Sequence, residues 1–271
     1  MKKITVFVSA AAALLLACFV SAFLILPLPG QIPVLMYHFL GSESVSVQSK
    51  NFVTRETFEK QMSFLKWAGY RVISLREMEM ILKGQRKPLG REIAITFDDG
   101  HISFKEEAFP ILQKYKFPVT LFIVSDQALH PDSDRMGEAV LRKLIENPWV
   151  DVQSHTKTHR ILSEATDEQI KEELVESKKN LESLFRRPID YLAYPTGNID
   201  ERAAIEAEKA GYHLAFITSY KKLKNLSEGP YTMHREKISR TSDNLFEFWV
   251  KISGIYRAFK RQRHFALQPQ S

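Results

Sequence analysis

One cysteine, Cys18, stands in 271 residues, so no internal disulfide can form and a folded chain must rest on its core. Glycine and proline are sparse, at 11 and 12 residues, and no fixed-period repeat or low-complexity stretch interrupts the chain. That composition excludes collagen, a fibre or long disorder. Neither a glycine-rich phosphate loop, a Gly-x-Ser-x-Gly elbow nor a nucleic-acid motif occurs, and no nucleic-acid partner is expected. An excess of one charge is also missing. Lys plus Arg number 38 against 32 Asp plus Glu, and the resulting +6 suits an anionic polymer or lipid surface without identifying either. What remains is ordinary globular material, 44% hydrophobic, 26% charged and 11% aromatic, long enough for one large α/β domain.

Charge is absent altogether between Lys3 and Glu43. The run Ile4 to Leu26 exceeds the roughly 20 apolar residues that cross a bilayer core. Lys2 and Lys3 place its start in the cytoplasm and everything after Pro27 outside. Cleavage near Ser21-Ala22 is one fate, and Leu15-Leu16-Ala17-Cys18 loosely resembles a lipoprotein box. The expectation is a retained anchor over 1–30, a folded domain over 31–260 and a basic tail over 261–271. The membrane would then be a partner, and the domain would act outside the cytoplasm as a monomer.

Beyond Gly30, short apolar runs alternate with amphipathic ones. Strands are predicted at Val34–His38, Arg71–Ser74, Glu92–Phe97, Val119–Val124, Val150–Ser154, Tyr191–Tyr194, Leu214–Thr218 and Met233–Ile238. Phe58, Met62 and Leu65 share one helix face; Ile170, Leu174, Leu181 and Phe185 share another, which opens on the capping-box pair Thr166 and Gln169. Repeated βα units predict an α/β barrel or a doubly wound sheet, with chemistry at the carboxyl ends of the strands.

Two strand ends carry reactive side chains. Asp98 and Asp99 close the third strand, where adjacent carboxylates raise each other's pKa unless a cation relieves them. His155 and His159 follow the fifth strand at a spacing that puts both imidazoles on one face of a turn. His155, His159 and Asp99 supply three ligands and leave positions open for water, as a catalytic metal site requires. Asp98 is then free to take a proton from that water.

Thr96-Phe97-Asp98-Asp99-Gly100 followed by His155-Thr156-Lys157-Thr158-His159 resembles the paired signatures of the NodB-homology polysaccharide deacetylases, carbohydrate esterase family four. The resemblance runs from about Pro33 to Arg240. It implies a distorted (β/α) barrel of about seven strands that removes acetyl groups from N-acetylated sugar polymers with a divalent metal. Zinc is the usual ion; cobalt, nickel and manganese also serve. Asp98 matches the family's base, and Asp99, His155 and His159 match its metal ligands. Leu192-Ala193-Tyr194-Pro195-Thr196-Gly197 resembles the third motif, a groove wall in which an amide near Thr196 would hold the oxyanion. Ala193 stands where the family commonly has arginine. Pro33 to His38 is similar to a branch that includes poly-β-1,6-N-acetylglucosamine deacetylases, in which a histidine such as His38 is the general acid. His234 competes for that role. An O-acetyl esterase on xylan and an inactive, membrane-tethered polysaccharide-binding protein are the rival readings.

Overall fold

The computed structural model describes residues 32–41, 51–218 and 229–254. Its strands are β1 (Val34–Tyr37), β2 (Phe39–Leu40), β3 (Phe52–Val53), β4 (Arg71–Val72), β5 (Glu92–Asp98), β6 (Val119–Ile123), β7 (Val150–Ser154), β8 (Tyr191–Ala193), β9 (Leu214–Ile217), β10 (Met233–His234) and β11 (Glu236–Lys237). Its helices are α1 (Arg55–Trp67), α2 (Leu75–Leu82), α3 (Phe109–Tyr115), α4 (Ser125–Leu129), α5 (Glu138–Ile145), α6 (Asp167–Phe185), α7 (Glu201–Lys209) and α8 (Leu245–Ile252). Caps set several helix starts. Ser74 and Glu77 form a capping box on α2, and Thr166 and Gln169 form the predicted one on α6.

Eight strands follow one parallel path, β10-β9-β8-β7-β6-β5-β1-β11, with β4 beside β5. The ends of that path are consecutive pieces of one ribbon. Arg235 N–H donates to Ile217 O at 2.9 Å and Ile238 N–H donates to Met36 O at 2.9 Å, so the ribbon leans on β9 and then on β1. The expected single strand Met233–Ile238 is therefore split in two, and the path has eight strands rather than about seven. This brings the sheet round into a barrel.

Alternation sorts the side chains. On β5, Ile93, Ile95 and Phe97 face the helical layer, where they join Leu35, Leu121, Leu192 and Ile217 in the larger core cluster. Ala94 faces inward with Val34, Phe122, Tyr191, Ala193 and Phe216, and Leu75 and Met78 of α2 close this inner cluster. The N-terminal mouth of the barrel is thus plugged by a helix, and the C-terminal mouth carries the polar residues. No helix among the described residues is long and apolar enough to cross a membrane. The run Ile4–Leu26, the loop 42–50 and the tail 261–271 lie outside the described residues.

Candidate active site

Asp98 ends the inward-facing row Ala94, Thr96, Asp98, and only 2% of it is exposed. A carboxylate at that depth needs a counter-charge, and Arg235 provides it. Arg235 Nη1 and Nη2 each donate to one carboxylate oxygen at 2.6 Å. The guanidinium also donates to Thr96 Oγ1 at 3.1 Å and lies 5.1 Å over the Phe122 ring. Thr96 Oγ1 in turn donates to Leu35 O. Burial raises the Asp98 pKa, but Arg235 and His155 outweigh burial and the carboxyl lies below its ordinary value. It is therefore ionised at neutral pH, as a base must be.

Arg235 sits at the break between β10 and β11, so its side chain points inward while His234 and Glu236 point the other way. Ala193, in the position that usually carries arginine, faces the same interior. The charge missing there arrives from the closing ribbon, and a fork donor on two oxygens orients the carboxylate as well as neutralising it. Sequence reading passed over Arg235 in favour of its neighbour His234. Strand alternation was the available signal, since only one of two adjacent residues can face a barrel interior.

Asp99 follows at φ +67, a left-handed conformation that turns its carboxylate toward β7. His155, 2% exposed, stands one step above Gln153 on the inward row of β7. Its Nδ1–H donates to the Ala193 carbonyl at 2.7 Å, which fixes the tautomer and leaves Nε2 facing Asp99. Nε2 of His155 and of His159 lie 3.4 and 3.5 Å from Asp99 Oδ1. Ligands about 2.0–2.2 Å from a tetrahedral zinc ion stand about 3.4 Å apart, so this set fits a metal ion better than it fits direct hydrogen bonds. The three ligand atoms lie within 4.8 Å of one another, the only such group among the described residues. Burial and His155 push the His159 pKa down, whereas Asp98 and Asp99 overcome burial to raise that of His155.

The loop that presents the histidines is held tightly. Thr156 and His159 both adopt φ +67, each costing on the order of 1–2 kcal/mol. His159 N–H donates to Thr156 Oγ1 at 3.2 Å, and Ser125 N–H of α4 donates to Thr156 O at 3.1 Å.

His38 follows β1 and is largely buried. Its Nδ1 has no hydrogen-bond partner among the described residues, and its ring senses the charges of Asp98, Asp99, Arg235 and His155. Burial lowers its pKa while the two aspartates pull the other way. His234 is buried too, but its ion-pair contact is Glu236 at 3.5 Å. The structure thus gathers His38, Asp98, Asp99, His155, His159 and Arg235, and leaves His234 outside.

In the third motif the Tyr194 ring packs among helix-facing core residues, while Pro195 and Gly197 are buried and Thr196 is exposed. Thr196 takes φ +59 and Gly197 φ +68. A Cβ on Gly197 would meet Thr218 Oγ1 at 2.1 Å, so glycine is required there. Gly197 N–H is committed to Tyr194 O. The Thr196 amide, early in the turn, has no acceptor within it. The backbone amide of Thr196 is thus a donor that this motif can offer at the mouth.

Residues 85–215 match the polysaccharide deacetylase family profile. The Bacillus subtilis protein YxkH, named for an inferred polysaccharide deacetylase activity, is 29% identical over 211 residues, which are 78% of this chain and 72% of that protein. The chain carries a polysaccharide deacetylase domain. That domain is accordingly one of a polysaccharide-deacetylating hydrolase. A Staphylococcus aureus poly-β-1,6-N-acetyl-D-glucosamine N-deacetylase is 28% identical over 227 residues, covering 79% of this chain and 76% of that enzyme. The crystal structure of BC0361, a polysaccharide deacetylase from Bacillus cereus, superposes with a TM-score of 0.70 at 29% identity, over 82% of this chain and 68% of that one. The α/β barrel and the deacetylase reading of the two signatures both stand.

Proposed function

We propose that this deacetylase is metal-dependent and acts outside the cytoplasm on a polymer of N-acetylglucosamine, tethered as a monomer by Ile4–Leu26. The carrying observation is the pairing of two carboxylates with different partners: Asp98 locked by Arg235, Asp99 facing two imidazoles. Asp99, His155 and His159 would hold the ion, and their nitrogen and oxygen donors suit zinc. A bound divalent ion supplies Lewis acidity toward water and the acetyl carbonyl.

The chain's own groups account for the remaining steps. Asp98, ionised and immobile, accepts the proton of the attacking water on a carboxylate oxygen. The Thr196 amide donates to the oxygen that gains charge as the carbonyl carbon becomes tetrahedral. His38, with an unpartnered ring nitrogen at the site, protonates the sugar nitrogen as the carbon–nitrogen bond breaks. Acetate and a glucosamine unit leave, and the new amine carries positive charge at neutral pH. The likeness to the Staphylococcus aureus enzyme supports the β-1,6-linked polymer as substrate.

Acetate release from poly-β-1,6-N-acetylglucosamine, N-acetyl chito-oligomers and acetyl-xylan, each with and without chelator, tests this reading. Chelator-sensitive release from the β-1,6 polymer is the expected result. Preference for acetyl-xylan would make the chain an O-acetyl esterase, and release from none despite bound metal would make it a binding protein.

A further inference from the structure

A carboxylate on a helix, well removed in sequence from the site residues, touches the segment between the two histidines. Glu173 lies on α6, and its residue is 4% exposed. Its Oε2 accepts the Lys157 amide at 3.0 Å and the Thr158 amide at 2.8 Å, and its Oε1 accepts the Thr158 hydroxyl. Arg160 Nε, just past His159, lies 3.8 Å from Oε1. On the other side the carbonyls of Thr156 and Lys157 accept the Ser125 and Asp126 amides of α4. The loop 156–159 is thus gripped through its amides by α6 and through its carbonyls by α4.

That grip explains how two non-glycine residues in a left-handed conformation, Thr156 and His159, persist in one short loop. Released from it, the loop would relax toward ordinary backbone angles, and the His159 ring would swing away from Asp99. His155 would stay, because Ala193 O and the strand hold it. The Glu173 carboxylate bonds Lys157 and Thr158 rather than the side chains of Asp99, His155 or His159.

Resting on the metal centre proposed above, we infer that Glu173 is a positioning residue for that centre: it sets the bite of the His155–His159 pair on Asp99 and thereby the affinity for the ion. Leucine removes both carboxylate acceptors at similar volume, whereas glutamine could keep its oxygen on the two amides and donate its NH2 to the Thr158 hydroxyl. The full-length chain is assayed for Zn2+ affinity by competition with a chromophoric chelator, alongside thermal unfolding of the metal-free protein and kcat at saturating Zn2+. Glu173→Leu should weaken Zn2+ binding ten- to a hundredfold and recover most of kcat at saturating metal, the size seen when ligand-supporting groups are removed. Thr158→Val, which deletes one of the three bonds and little else, should shift affinity in the same direction by less. Glu79→Gln, a buried carboxylate lost at the opposite barrel end, should lower the unfolding temperature without moving Zn2+ affinity. Unchanged affinity in both Glu173→Leu and Thr158→Val, or an equal loss in Glu79→Gln, would overturn the assignment. Failure of the underlying centre reads differently: the parent would bind no Zn2+, or His155→Ala would bind it as tightly as the parent, and both proposals would fall together.

Discussion

Both mouths of the barrel hold a carboxylate beside a histidine, and the donors around each carboxylate set them apart. At the plugged mouth, Glu79 of α2 accepts from Lys83 at 2.6 Å and from the Tyr191 hydroxyl at 2.7 Å, with His213 Nδ1 at 3.0 Å. Lys83 and Tyr191 donate hydrogen bonds and the His213 imidazole lies against the same carboxylate, so the cluster is chemically finished and pins α2 to the barrel. At the open mouth, Asp98 is finished in the same sense by Arg235, but Asp99 faces two imidazole nitrogens at 3.4 and 3.5 Å. A spacing too long for good hydrogen bonds is the one that the proposed shared coordination would need. Burial of charge next to histidine is thus no sign of catalysis by itself.

Substitutions at the two ends sharpen the contrast. Asp98→Asn should lower kcat by about 10²–10⁴-fold while leaving Zn2+ affinity near that of the parent, because it removes a base and no ligand. Loss of metal in that variant would merge the two carboxylate roles. Arg235→Met should come next. It leaves a buried carboxylate unpaired, at a cost of about 3–5 kcal/mol in unfolding free energy. The pH dependence shifts as well. In the parent, Asp98 is depressed below its ordinary value, so its stabilising contribution is present above about pH 4 and is lost as pH falls through the lower folded value. Without Arg235, burial dominates, the Asp98 pKa rises, and the acidic limb of kcat/KM should move to higher pH. An unmoved limb would show that Asp98 is not the titrating base.

His38→Gln should reduce kcat by about 10²-fold, the lower end for a lost proton donor, whereas His234→Gln should leave kcat within about twofold. The reverse result would return the general-acid role to His234. Smallest of all, Glu79→Gln should cost about 1–3 kcal/mol through the bonds from Lys83 and Tyr191 and change neither kcat nor KM. Burial raises the Glu79 pKa, but those partners prevail and hold it below the ordinary value. Its contribution is therefore present above about pH 4.5 and disappears as pH falls, which acid unfolding of parent and variant would reveal.

Much of this was legible in one sequence. Each predicted strand overlaps an observed one, because apolar runs between turn residues leave few alternatives for a parallel sheet buried on both faces. The α6 start followed from its capping box. The ligand trio was legible because two short motifs sit at strand ends, and parallel topology brings such ends to one mouth. The plug formed by α2 was not, since an eight-residue amphipathic helix looks alike whether it covers a barrel mouth or a sheet face. Arg235 was missed for a related reason. The split of Met233–Ile238 depends on pairing with β9 and β1, from opposite ends of the chain. Glu173 reads locally as one of many acids on a charged helix, and only the packing of α6 against the histidine loop distinguishes it.

Local chemistry alone decided the strand and helix periods, the family signatures and the identity of the candidate ligands, because those depend on neighbours within a few residues. Closure of the barrel decided the rest: which residue of the last ribbon faces inward, where the Asp98 counter-charge comes from, and which histidine beyond the ligand pair reaches the site. Such facts arise from contacts across more than a hundred positions, as between Asp98 and Arg235, and no local pattern encodes them.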